Sequence, residues 1–110
     1  MKIENTKAQM RKGVLEYCIL LLIKDNELYP SEIILKLKES KLIVVEGTLY
    51  PLLTRLKNAG ILTYRWEEST SGPPRKYYSL TPIGETFTNE LSATWNALEK
   101  AVKSAQKQSK

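Results

Sequence analysis

Histidine is absent from this chain, and cysteine occurs once, as Cys18. These gaps remove Ser-His-Asp and Cys-His nucleophilic chemistry, and with them the common histidine-bearing zinc sites. A lone cysteine within an apolar run also excludes a disulfide framework and a four-cysteine zinc site, and points to a reduced, cytoplasmic setting. There is no Gly-rich phosphate loop and no carboxylate pair at helical spacing in an apolar setting, so an enzyme is not expected. No catalytic residue, cofactor or metal ligand can be nominated. Long hydrophobic runs are lacking too. The most apolar stretch, residues 17–23, is far shorter than the roughly 20 residues that cross a bilayer. It has no small-residue cleavage pattern, so neither a membrane partner nor a signal peptide is expected.

What remains is the make-up of one globular domain with an appended element. The 110 residues are 42% hydrophobic and 26% charged. The net charge of +5 fits a polyanionic partner without requiring one.

Residues 44–60 organise the rest. Leu49, Leu52, Leu53 and Leu56 recur at the i, i+3, i+4, i+7 spacing of a buried helical stripe. Gly60 supplies a C-terminal stop. The opposite face carries Gly47, Pro51, Thr54 and Asn58. Thr48 and Arg55 flank it on one side, Tyr50 and Lys57 on the other. This front is small, polar and basic, with no acid beyond Glu46. It suits a DNA major groove, and it equally describes an ordinary amphipathic helix with a solvated front. Pro51 costs little only in a first turn, so the helix should begin between Glu46 and Thr48 and leave free N–H groups that attract phosphate.

A first helix is expected over residues 6–24, capped by Thr6 or Asn5. Its apolar rows are Met10, Val14, Tyr17, Leu21 and Leu15, Cys18, Leu22, so it must touch more than one neighbour. A second helix opens at Pro30 or Ser31, buries Ile33, Ile34 and Leu37, and turns Lys36, Lys38 and Glu39 to water. Residues 41–45 read as an extended connection or short strand. Residues 61–66 read as a strand, residues 67–74 as a loop with strong breakers, and residues 75–80 as an antiparallel second strand. In that strand Tyr78 and Leu80 share one face, Arg75 and Tyr77 the other. Thr81 and Pro82 open a long last helix. Its stripe runs Ile83, Phe87, Leu91, Trp95, Leu98, Val102 and Ala105, and Lys100, Lys103, Lys107 and Lys110 gather near its end.

Three helices followed by a hairpin give a mainly α (α+β) fold, a winged helix-turn-helix with a long C-terminal dimerisation helix. The division falls at residues 1–80 for the DNA-binding domain and 81–110 for the dimerisation helix. The last helix has no second domain to cover its apolar stripe, and each such residue is worth about 1.5–3 kcal/mol on burial. A second copy is the expected cover, giving a two-fold homodimer with recognition helices about 34 Å apart on a palindromic operator. Ile83, Phe87, Leu91, Trp95, Leu98 and Val102 form the expected interface.

Gly47-Thr48-Leu49-Tyr50-Pro51-Leu52-Leu53-Thr54-Arg55-Leu56, then Gly60-Ile61-Leu62, then residues 74–84 from Pro74 through Thr81-Pro82-Ile83-Gly84, resemble the PadR family of bacterial transcriptional regulators. The likeness runs from Arg11 to Glu85. The single long last helix resembles the short subfamily, which includes multidrug-sensing and phenolic-acid-type repressors. Glu46 departs from the family's usual Ser or Asn, and Tyr29-Pro30 from its Tyr-Gly. The resemblance implies a DNA-binding homodimer, usually a repressor, with the third helix in the major groove and the Arg75-Lys76-Tyr77 arm at phosphates. Some drug-sensing members sandwich a planar aromatic ligand between two copies of a tryptophan in the last helix, and Trp95 stands at the matching place.

The expected DNA contacts are Lys41, Gly47, Thr48, Tyr50, Pro51, Thr54, Arg55, Arg75, Lys76 and Tyr77. Against them stand plainer roles. Arg55 can pair with Glu32 or Glu39, Tyr50 can pack a helix flank, and residues 75–77 can be a solvated strand edge. Trp95 is either dimer core or a stacking platform for an effector. In the second case Met10, Val14, Leu91, Glu99 and Val102 lie within reach, and Glu99 favours a cationic aromatic compound. A ligand-responsive repressor is therefore the leading reading. The alternative is a winged-helix protein–protein interaction module that never meets DNA, which would more naturally show a hydrophobic front on the third helix.

Overall fold

Ile19, Leu20 and Ile23 are the three buried residues of the first helix, α1 (Ile3–Lys24). They form a third apolar row besides the two expected ones, and it is the one that enters the core. The computed structural model describes residues 1–109; Lys110 lies outside the described residues. After α1 come α2 (Pro30–Glu39), α3 (Glu46–Asn58), β1 (Leu62–Ser69), β2 (Gly72–Leu80) and α4 (Pro82–Gln108). This is the winged helix-turn-helix order with a long last helix.

The core brings α1 together with Ile33 and Leu37 of α2, Leu49, Leu53 and Leu56 of α3, and Leu62 and Tyr78 of the hairpin. Leu52, expected in the buried stripe, only packs against this core from its edge. Leu28 pairs with Tyr78, exchanging backbone bonds of 3.1 and 2.8 Å, so β2 is tied to the segment before α2.

Several boundaries differ from expectation. α1 starts at Ile3 after an extended Lys2, so Asn5 and Thr6 lie inside the helix and cap nothing. Residues 41–45 form no strand. Lys41 instead adopts the left-handed conformation (φ 66°). Leu42 N–H donates to the Leu37 carbonyl (2.8 Å) and Lys41 N–H to Lys38 (3.0 Å), the Schellman closure of α2. α3 ends the same way through Gly60 at φ 79°. α3 does begin within the expected range, at Glu46, but that early start puts Pro51 inside the helix and not in its first turn. It has no N–H to offer the Gly47 carbonyl four residues back.

The hairpin is longer than expected. Strand pairing runs from Leu62 opposite Leu80 to Ser69 opposite Gly72, with an irregularity between Glu67 and Ser69. The breakers Pro73 and Pro74 fall beside that irregularity in a two-stranded sheet, where missing donors disrupt little.

α4 is anchored at its first turn. The Thr81 hydroxyl donates to the Gly60 carbonyl and accepts from Gly84 N–H (2.9 Å). Thr81 N–H donates to the Ile61 carbonyl (3.1 Å). Gly84 and Thr88 are the buried residues of α4, so its small side chains face the body. The apolar stripe lies on a different face: Ile83, Leu98 and Val102 are 67%, 54% and 55% exposed, Trp95 is 37% exposed, and Phe87 and Leu91 are half-buried.

Candidate nucleic-acid interface

The leucine face of α3 is buried, which turns its polar front outward. Gly47, Thr48, Tyr50, Pro51, Thr54, Arg55, Lys57 and Asn58 are all exposed. The helix rotation places the two flanks of this front in two separate grooves. Thr48, Pro51 and Arg55 look toward α1, where Lys12, Leu15 and Glu16 complete a shallow cleft. Tyr50 and Thr54 look toward the hairpin, across a cleft of about 390 Å³ shared with Trp66, Arg75, Lys76 and Tyr78.

On the α1 side, the Arg55 guanidinium donates to the Glu16 carboxylate at 2.9 Å. Arg55 does find an acid, but on α1 and not at Glu32 or Glu39 of α2. The pair stays partly open to solvent, so it contributes little to stability. It leaves other donors of the five-donor guanidinium unused. Lys41 is exposed beside Arg11 and Ile43, in a different recess along the same side of α1.

On the hairpin side, alternation splits the Arg75-Lys76-Tyr77 arm. Lys76 shares a strand face with Tyr78, and its ammonium lies 4.5 Å from the Tyr64 ring centroid and 5.2 Å from that of Trp66. Lys57, in the last turn of α3, reaches within 5.8 Å of the same Tyr64 ring. Arg75 and Tyr77 take the other face and converge on Tyr29, the residue before α2. Arg75 stacks 4.5 Å above the Tyr29 ring, and Tyr77 meets that ring edge-on at 5.2 Å. Arg65 covers Tyr77 at 5.0 Å. It pairs with Glu27 at 2.8 Å and Glu67 at 2.9 Å, whose hydrogen bonds raise its already high pKa. Arg75 keeps an edge in the α3–hairpin cleft, whereas Tyr77 does not line it. Burial pushes the Tyr78 phenol above its usual range, with smaller effects from Tyr64 and Tyr50.

Sequence reasoning passed over three residues that shape this surface. Glu16 holds Arg55, Tyr64 carries two lysines, and Trp66 stands 60% exposed at the cleft. Two of them were open to strand alternation, which places Tyr64, Trp66 and the cross-strand Lys76 and Tyr78 on one face. Glu16 carried no such signal.

The residues proposed around Trp95 come together only in part. Met10, Val14, Tyr17, Leu91, Trp95 and Leu98 line an apolar cleft of about 340 Å³ between α1 and α4. Glu99 and Val102 lie outside that cleft, and Glu99 pairs with Lys103 at 3.5 Å. The Tyr17 hydroxyl donates to Ser92 at 2.7 Å, fixing the two helices beside the cleft. Among the described residues no group of acids and cysteine could hold a metal ion. Among those residues no helix is long and apolar enough to cross a membrane.

The family model of the PadR-like transcriptional regulators matches residues 19–90. A solved PadR-like transcription factor from Bacteroides fragilis is 62% identical, covering 92% of this chain and 98% of its own, with a TM-score of 0.79. A PadR-like transcriptional regulator from Bacillus cereus is 36% identical over 89% of this chain and 96% of its own, with a TM-score of 0.80. A PadR family regulator from Eggerthella lenta is 28% identical over 94% and 91%, with a TM-score of 0.84. The family model spans both the α3 front and the hairpin beside it, and the solved relatives share the fold over nearly the whole chain: the chain belongs to the PadR-like family of transcriptional regulators.

Proposed function

We propose that this chain is a cytoplasmic repressor that binds a palindromic operator as a homodimer, with residues 1–80 on DNA and α4 joining the copies. The observation that carries the reading is the exposed polar front of α3, bordered on the hairpin side by Arg75 and Lys76. Thr48, Tyr50, Thr54 and Arg55 reach base edges and flanking phosphates, and Gly47 and Pro51 let the helix approach closely. Lys76 and Arg75 serve the backbone. Tyr77 supports Arg75 through Tyr29, and Lys41 lies at the periphery.

A planar aromatic effector at the α1–α4 cleft supplies the regulation. Support comes from its apolar lining and the half-open indole of Trp95. In that reading Glu99 and Val102 contribute from the second copy or not at all.

The test is a mobility shift with DNA from upstream of the gene, at several salt concentrations. Binding should fall steeply with salt, and Arg55→Ala and Arg75→Ala should each weaken it. A chain that binds no such DNA at any salt would instead be the protein-interaction module. For the effector, planar cationic dyes should quench a Trp66→Phe variant, whose remaining indole is Trp95. An unchanged signal removes the effector site.

A further inference from the structure

We infer that Lys57, Lys76 and the Tyr64 ring form a seat for one backbone phosphate of duplex DNA, at the join of the recognition helix and the wing. The inference rests on the DNA-binding reading above and adds a contact to it. Two ammonium groups from separate elements gather at one aromatic ring, Lys76 at 4.5 Å and Lys57 at 5.8 Å from its centroid. Lys76 is held in place further by Trp66, whose ring stands at 87° to Tyr64 with centroids 6.1 Å apart. The ring faces attract the cations and fix where they sit before any ligand arrives.

No carboxylate among the described residues competes for this pair. Arg55 is answered by Glu16, and Arg65 by Glu27 and Glu67. Arg75 is stacked on Tyr29. Among the described residues no carboxylate pairs with Lys57 or Lys76. Like charges drawn to one ring gain from an anion that reaches both. A phosphodiester suits the position, because Lys57 follows Tyr50 and Thr54 along the hairpin-side flank of α3. A backbone strand leaving the α3 front on that side passes over Tyr64. Phosphate contacts of this kind set register on the duplex without reading sequence. Lys57 and Tyr64 thus position α3, and Arg55 is left to the bases.

The test is fluorescence anisotropy with a labelled duplex of arbitrary sequence, so no operator is needed. Log affinity is followed against log salt for the full chain, Lys57→Gln, Lys76→Gln, the double variant, and Lys103→Gln on α4 as control. One shared phosphate predicts that the double variant lowers the slope by about 0.9 per bound protomer, with each single variant losing part of that. Lys103→Gln should match the unaltered chain. A slope that the double variant leaves unchanged overturns the seat, and so does a loss of about twice that size, which would mean two separate phosphates. Inorganic phosphate added at constant ionic strength should weaken duplex binding by the full chain more than by the double variant, because the two compete for one seat. Equal weakening in both overturns the seat, since the competition then lies elsewhere. An unaltered chain that binds neither this duplex nor the upstream DNA overturns the DNA-binding reading and the seat with it, whereas binding with a slope that the double variant leaves unchanged overturns the seat alone.

Discussion

Gly84 has the smallest side chain in α4 and the least room to change. A Cβ there would overlap the Ile61 carbonyl oxygen and press on its carbon at 3.0 Å. By contrast, Gly13 and Gly47 have nothing within 4 Å of the same position. The first turn of α4 lies on the end of α3 and the start of β1, so an added methyl must lift that turn away. Lifting it breaks the Thr81 bonds to Gly60 and Ile61. Gly84→Ala should therefore cost about 2–4 kcal/mol, from overpacking together with a damaged N-cap. A urea melt measures this; a midpoint equal to that of the unaltered chain would show that α4 does not depend on close contact there. The sequence alone shows Thr81-Pro82 as a helix start, but not that Gly84 meets a carbonyl 23 positions earlier. Glu16 is the same kind of residue. An exposed acid on an amphipathic helix has no local mark of its partner, and Arg55 lies 39 positions away.

Elements were legible where period and punctuation agree, as in the leucine stripe of α3, its stop at Gly60, and the cap and proline opening α4. They were misread where a strong local signal yielded to tertiary context. Pro73 and Pro74 suggested a long loop, yet a two-stranded sheet with an irregular pairing at its tip accommodates them. Lys41 closes α2 in a conformation that sequence assigns to glycine. β2 owes its place to Tyr78, which is buried in the core and bonded through its backbone to Leu28. That burial raises the phenol pKa above the ordinary tyrosine value. The neutral phenol is therefore favoured in the folded chain. Its contribution is fully present below the unfolded pKa and is lost as pH rises through the higher folded one. Stability should fall above pH about 10, and a Tyr78→Phe variant should show a shallower loss there. Identical alkaline profiles would mean that another group governs the loss. Because Tyr78 also lines the cleft beside Lys76, the same ionisation would put a negative charge next to the proposed phosphate seat.

The whole molecule is 59 Å long but only 32 × 23 Å across, because α4 runs on beyond the body it is anchored to. From Ala93 to Ser109 every residue is exposed. Trp95, Leu98 and Val102 are among them, and Met10 on the neighbouring α1 is 73% exposed. A helix segment of this length is marginal in water by itself, and its apolar face gains about 1.5–3 kcal/mol per large side chain once covered. A second copy offers the same face by symmetry, so one contact serves both chains. It also gives two α3 fronts at a fixed distance, which is what a palindromic operator requires. Leu98→Glu with Val102→Glu tests this, because glutamate keeps helix propensity while placing charge in the seam. The expected outcome is a monomer in sedimentation at micromolar concentration, against an expected dimer for the unaltered chain. Affinity for the upstream DNA should fall with it, since one α3 must then hold a half-site alone. If the double variant still sediments as a dimer, the copies meet through some other surface. If it is a monomer with undiminished affinity, the spacing of two recognition helices is not what selects the operator.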